Sequence, residues 1–176
     1  MKPPTVVLRR LEKTHLPAVQ ALANDPDIAR FTGFPVPAPD DFAEQWYARY
    51  EAGRADGTRE LFVAVDDDGR FLGVAMAFNI SAEGRELELG YLVAPEERGQ
   101  GIGAEMLRQL SSWAFDAGNA LRATLIIDVA NVASSRVAAR AGFVREGIMR
   151  SRYFKQGIRG DVEVWSRLPS DPPPAT

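Results

Sequence analysis

The chain has 176 residues, 45% of them hydrophobic and 26% charged, with a net charge of −3 and no cysteine. That length fits one domain with one self-sufficient core. The composition excludes disulfides, thiolate metal sites and a metal cluster built on the lone His15, and the acidic balance argues against a nucleic-acid binder. No run approaches the ~20 apolar residues of a membrane span, and "MKPPTVVLRRLE" lacks the apolar stretch of a signal peptide. A cytoplasmic protein with no membrane partner and no metal is the expectation.

Residues 6–10 read as a first strand. Thr14 is the expected N-cap of a helix running to about Ala23, which "NDPD" ends. The proline-rich loop "FTGFPVPAPDD" leads, with Asp40 as the expected cap, into a helix over 41–52. In that helix Phe42, Trp46 and Tyr50 share a face at i, i+4, i+8 spacing. "ELFVAVD", "RFLGVAMAFNI" and "RELELGYLVA" are strand-like and are joined by the hairpin turns "DDG" and "SAEG". An amphipathic helix over 103–117 follows, then the buried-strand run "ATLIIDV" and a helix over 133–141 with Gly142 behind it. "FVREGIMRSRYF" and "DVEVWSRL" make a last hairpin. A single domain over 1–168 and a disordered tail over 169–176, "PSDPPPAT" with the Leu168–Pro169 boundary, complete the reading.

"PEERGQGIGA" sets three glycines in five residues at the start of a helix. The first N–H groups of a helix lack intrahelical acceptors. Bare glycine backbone there lets a ligand reach those groups, and the helix dipole favours an anion such as a diphosphate. Arg98 would add positive charge. Gly99, Gly101 and Ala104 also satisfy the relaxed dinucleotide fingerprint, with Asp128 as a ribose-binding acid. However, the antiparallel strands before the run do not suit a doubly wound sheet.

The same residues resemble the GCN5-related N-acetyltransferase (GNAT) superfamily. Arg98-Gly99-Gln100-Gly101-Ile102-Gly103 matches its pyrophosphate motif. The block Asn131, Ser134, Val137, Arg140, Gly142-Phe143 and Glu146-Gly147 resembles the ribosomal-protein (RimJ/RimL-type) branch, as do "ELGYLV" and "RGDVEVWSRL". The resemblance implies an α+β fold: a mixed, mostly antiparallel sheet with helices on both faces and a splay between the fourth and fifth strands. It also implies acetyl-CoA in that splay. The pantetheine would pair near Leu92 and Val93, the diphosphate would lie on the backbone of 99–103, and Asn131 would touch the cofactor arm.

Acetyl transfer to an amine needs a neutral amine, a polarised thioester and a stabilised thiolate. Two-residue periodicity places Glu86, Glu88 and Gly90 on one face of their strand. Glu88 is the first choice for the base, ahead of Glu86, with Asp128 the runner-up. Ser134 is favoured as donor to the thiolate, because the tyrosine that many members carry on this helix is missing; a plain helix cap is the competing use. Tyr153 is an outside candidate from the last hairpin, and the backbone at Val93 could polarise the carbonyl. Phe31, Phe34 and Trp46 would wall the acceptor side. The acceptor is an amine-bearing partner, either a protein N-terminus or a small molecule such as a polyamine, and a homodimer stays open. A non-catalytic acyl-CoA-binding module is the rival from another class.

Overall fold

The computed structural model describes residues 5–174. Seven strands form one sheet: β1 (Val7–Arg10), β2 (Glu60–Val65), β3 (Phe71–Ser81), β4 (Glu86–Val93), β5 (Arg122–Asp128), β6 (Val144–Lys155) and β7 (Ile158–Arg167). Their order across the sheet is β1-β2-β3-β4-β5-β7-β6. Every neighbouring pair is antiparallel except β4 and β5. A single parallel pair leaves no repeated strand–helix winding, so the dinucleotide alternative falls.

Helices cover both faces, which explains why "RFLGVAMAFNI" is apolar without alternation. Ala75 and Ala77 of β3 join Leu87 and Leu89 of β4 beneath α4 (Ile102–Asp116), which contributes Met106, Leu107 and Leu110. Val74 and Met76 face the other way, onto Val19 and Leu22 of α1 (Leu16–Ala23) and onto Phe42, Trp46 and Tyr50 of α3 (Phe42–Ala55). The mixed α+β architecture with helices on both faces is therefore as the sequence led us to expect.

At Gly73 the two strands that carry the site come closest. A Cβ added there would lie 2.1 Å from the Leu92 carbonyl oxygen across the β3–β4 ladder. Gly73→Ala should therefore destabilise the fold by about 1–3 kcal/mol, the usual cost of overpacking, and chemical denaturation would measure it.

Three local expectations are corrected. Thr14 is not a cap: it lies in a 3-10 turn over Lys13–His15, where the Glu12 N–H donates to His15 Nδ1 at 3.0 Å. Helix α1 starts without a side-chain cap because Pro17 fixes its own φ and brings no N–H needing a partner. Asp40 is not the cap of α3 either. Asp41 is the entry residue, and its carboxylate accepts from the Gln45 side chain at 2.7 Å. "NDPD" not only ends α1 but opens α2 (Pro26–Phe31): Asp25 accepts from the Ile28 N–H at 2.8 Å, and Pro26 takes the first turn.

The carboxy-terminal segment begins with a turn in which the Leu168 N–H donates to Asp171 Oδ2 at 2.8 Å. Residues 1–4 and the last two of the expected tail, 175 and 176, lie outside the described residues. Among the described residues no helix is long and apolar enough to cross a membrane.

Candidate functional site

The sheet opens between β4 and β5. Their parallel register covers only Glu86–Glu88 against Arg122–Thr124. Beyond that point β5 continues along β7 from Leu125 to Asp128, while Leu89–Val93 of β4 stay paired only to β3. Among the described residues the stretch from Leu89 to Val93 therefore has one edge without a strand partner, and Leu92 and Val93 lie at its end. An extended ligand can pair with such an edge.

The glycine run lies just past that edge. Gly99 and Gly101 have φ of +78° and +83°, the left-handed region that side chains disfavour, and nothing lies within 4 Å of where their Cβ atoms would be. Gly101 is the entry residue of α4. Among the described residues nothing accepts a hydrogen bond from the backbone N–H of Gly99, Gln100, Gly101, Ile102 or Gly103; the first amide of the region with a partner is that of Ala104, which reaches Gly101 O at 3.1 Å. Gly103 differs from the other two, since a Cβ there would lie 2.8 Å from Tyr91 Cε2. The missing Cβ of Gly103 thus serves close packing, while its N–H, like those of 99–102, has no acceptor among the described residues.

Arg98 does something the sequence did not suggest. Its guanidinium reaches Asp25 at 2.8 Å and Asp27 at 3.2 Å, and its Nε reaches Val93 O at 3.4 Å. Two carboxylates thus hold its charge, and the residue ties α2 to the end of β4. Gln100 reaches the buried Glu97 at 3.3 Å, and Arg70 also pairs with Glu97, anchoring the loop to the start of β3.

On the far wall, α5 (Val132–Arg140) follows β5. Asn131 is its cap: Asn131 Oδ1 accepts from the Ser134 N–H at 3.1 Å. Ser134 is therefore not the cap, and its hydroxyl is left to meet the Tyr91 hydroxyl at 3.1 Å. Burial pushes the Tyr91 phenol up to about 12, although Ser134 opposes the shift. Glu146, from the same sequence block, serves the sheet: the Arg122 guanidinium and the Ser166 hydroxyl hold its carboxyl at about 2.

Glu88 and Glu86 part company. Glu86 is exposed and Glu88 half-buried. Burial raises the Glu88 pKa against the opposing effects of the Asn79 amide, 3.1 Å away, and of the Arg152 charge across the cleft. Glu88 is the last β4 residue in register with β5, so it stands where the two strands part.

The proline-rich loop and the β6–β7 hairpin, the segments expected to face the acceptor, meet α2 around Lys155. Lys155 near the hairpin tip donates to Thr32 O at 2.7 Å and to Ala29 O, which fastens the hairpin to α2. The β6–β7 register breaks between Met149 and Tyr153, where Asp161 Oδ1 accepts from the Ser151 N–H at 2.8 Å. This bulge carries Arg150 and Arg152, the kind of local kink that re-aims side chains beside active sites. Tyr153 is half-buried; its hydroxyl has no partner among the described residues, and burial and the nearby Asp128 raise its pKa. Phe31 is half-buried at the end of α2. Phe34 packs on Phe42 at 4.6 Å and on Trp46 at 6.0 Å, between ring centroids. Trp46 is core, 3% exposed.

The sequence reading missed Tyr91, the pair Asp25 and Asp27 on Arg98, and Lys155. Tyr91 carried a signal: in "ELGYLV" it is a hydroxyl on the face opposite Glu88, among residues that are otherwise apolar.

A profile described as the acetyltransferase (GNAT) domain matches residues 5–144. The chain belongs to that family. It is 32% identical over 101 residues to YdaF of Bacillus subtilis, whose name places it with the ribosomal N-acetyltransferases; the alignment covers 57% of this chain and 55% of that protein. The chain thus spans just over half the length of that relative. It is 23% identical over 158 residues to the spermidine N(1)-acetyltransferase of Vibrio cholerae, covering 90% of each chain. The structure of the ribosomal L7/L12 alpha-N-protein acetyltransferase RimL in complex with coenzyme A has the same fold: the TM-score is 0.85 at 23% identity, over 93% of this chain and 94% of that one.

Proposed function

We propose that this protein is an acetyl-CoA-dependent N-acetyltransferase whose acceptor is the amino-terminus of an acidic polypeptide. The observation that carries the reading is the opening between β4 and β5, flanked by unpartnered amides at 99–103. Those residues fit the coenzyme. The open space at Gly99 and Gly101 admits a diphosphate, the N-terminus of α4 favours its charge, and the free edge of Leu89–Val93 suits an amide-bearing arm. Bound acetyl-CoA supplies the acyl carbon, to which the amine nitrogen bonds as the carbon–sulfur bond breaks and sulfur leaves as thiolate. Glu88 takes the amine proton, directly or through a water, and its raised pKa makes it a better base than an exposed carboxylate. Ser134 donates its hydroxyl hydrogen toward the sulfur. Holding both reactants in line supplies much of the rate, since orientation is worth roughly 7–11 kcal/mol.

The acceptor class rests on charge. Around the bulge the hairpin carries four cations, Arg150, Arg152, Lys155 and Arg159, against one carboxylate, that of Asp161. Among the described residues neither Arg150 nor Arg152 is in an ion pair. A polyamine would meet like charge at this rim, whereas a peptide with acidic residues behind its amino group would be drawn in. The spermidine enzyme's alignment over nine-tenths of its length makes a polyamine the rival reading.

Competing acceptors read out by mass spectrometry test the choice. A peptide of the type Ser-Asp-Glu should exceed both its Ser-Lys-Lys counterpart and spermidine by at least roughly tenfold in kcat/KM, a difference that ~1.4 kcal/mol of charge preference provides. Arg150→Glu with Arg152→Glu should erase that preference. Spermidine as the better acceptor would overturn the peptide reading.

A further inference from the structure

The Tyr91 side chain sits between the two walls of the cleft, and nothing in the reading above uses it. Its ring lies against the first turn of α4, where Gly103 is required because any Cβ would lie 2.8 Å from Tyr91 Cε2 and 3.4 Å from Val137 Cγ1 of α5. Its hydroxyl meets Ser134 Oγ, 3.1 Å away on the first turn of α5. The Ser134 N–H is already committed to Asn131 Oδ1, and Tyr91 is the one hydrogen-bond partner of Ser134 Oγ among the described residues.

From this geometry we infer that Tyr91 is a positioning residue: its O–H donates to Ser134 Oγ, so that the serine's own hydrogen points into the cleft, toward the leaving sulfur. A serine hydroxyl has one hydrogen and two lone pairs. Left alone it rotates; once a donor occupies a lone pair, the hydrogen is aimed and its donation is strengthened by the chain. The phenol suits this role because a tyrosine hydroxyl is protonated at neutral pH and so remains a donor, and burial only moves it further from ionisation. Gly103 couples the arrangement to the glycine run, since the turn that offers its amides to an anion is the turn that holds the Tyr91 ring. The inference rests on Ser134 facing the sulfur and adds the residue that orients it.

Tyr91→Phe keeps the ring and removes the hydroxyl. In the complex with coenzyme A, ultraviolet titration of the bound thiol should show thiolate stabilisation weakened roughly threefold to tenfold, the worth of one hydrogen bond. In acetyl transfer kcat should fall by a similar factor with KM for acetyl-CoA little changed. In a Ser134→Ala background Tyr91→Phe should add nothing to either measurement. In the free protein, Ser134→Ala should shift the Tyr91 Cζ carbon resonance, a readout independent of coenzyme and of the folding of the phenylalanine variant. Wild-type thiol titration in Tyr91→Phe, an effect that adds fully to Ser134→Ala, or an unmoved Cζ resonance would overturn the inference while leaving the transferase reading intact. If Ser134→Ala alone matches the wild type in transfer and in thiol titration, the assignment of Ser134 fails and the inference fails with it.

Discussion

Glu88→Gln is expected to lower kcat by about 10²–10⁴-fold, the usual worth of a positioned general base, while coenzyme binding stays close to wild type. The substitution keeps size and hydrogen-bonding reach, so the Asn79 amide, 3.1 Å from the carboxylate, retains an oxygen to donate to. What disappears is a site able to take the ammonium proton. The sign of the pH dependence follows from the raised pKa: burial pushes the Glu88 carboxyl above the usual carboxylate range, and the base works only when ionised. In the wild type kcat/KM should therefore climb with pH through a limb above that range, and Glu88→Gln should lack this limb. Arg152→Ala removes a charge that favours ionised Glu88, so the limb should move to higher pH. A variant that keeps both rate and acid limb would mean that Glu88 is not the base.

The second large effect lies in the glycine run. Gly101→Ala forces an L-residue into the left-handed region at φ +83°, at a cost of roughly 1–2 kcal/mol. It also puts a methyl group into the open space in front of the α4 amides. Coenzyme A affinity, measured by calorimetry, should fall by at least about tenfold, which takes ~1.4 kcal/mol; the thermal midpoint should fall as well. Gly99→Ala should behave similarly, because its φ is +78° and its surroundings are just as open. Stability lost with coenzyme affinity unchanged would show that these glycines serve the turn alone.

Much of this site could be read from the sequence because its parts obey local rules. Three glycines before an amphipathic run mark a helix N-terminus with bare amides. Alternation along "RELELGYLVA" puts Glu88 on one face and Leu87 and Leu89, both buried, on the other. The divergence of β4 from β5 was different: no periodicity announces it, and it entered only through the family resemblance.

What stayed hidden depends on contacts between segments far apart in the chain. Arg98 read as a free cation beside the glycines because its partners, Asp25 and Asp27, lie more than 70 residues away. Those two aspartates read as a helix stop, although Asp25 with Pro26 is equally a helix start. Lys155 fastens to carbonyls of α2, which leave no trace in a side-chain pattern. That Asn131, expected at the cofactor arm, rather than Ser134 caps α5 shows only in the cap geometry.

The central claim, that unpartnered main-chain amides at the start of α4 grip the coenzyme, is tested most directly by following the amide resonances of ¹⁵N-labelled protein during titration with coenzyme A. The account predicts saturable shifts, with slowed hydrogen exchange, at Gly99, Gln100, Gly101, Ile102 and Gly103. Coenzyme A binding that leaves those five amides unmoved, or no binding at all, would contradict it.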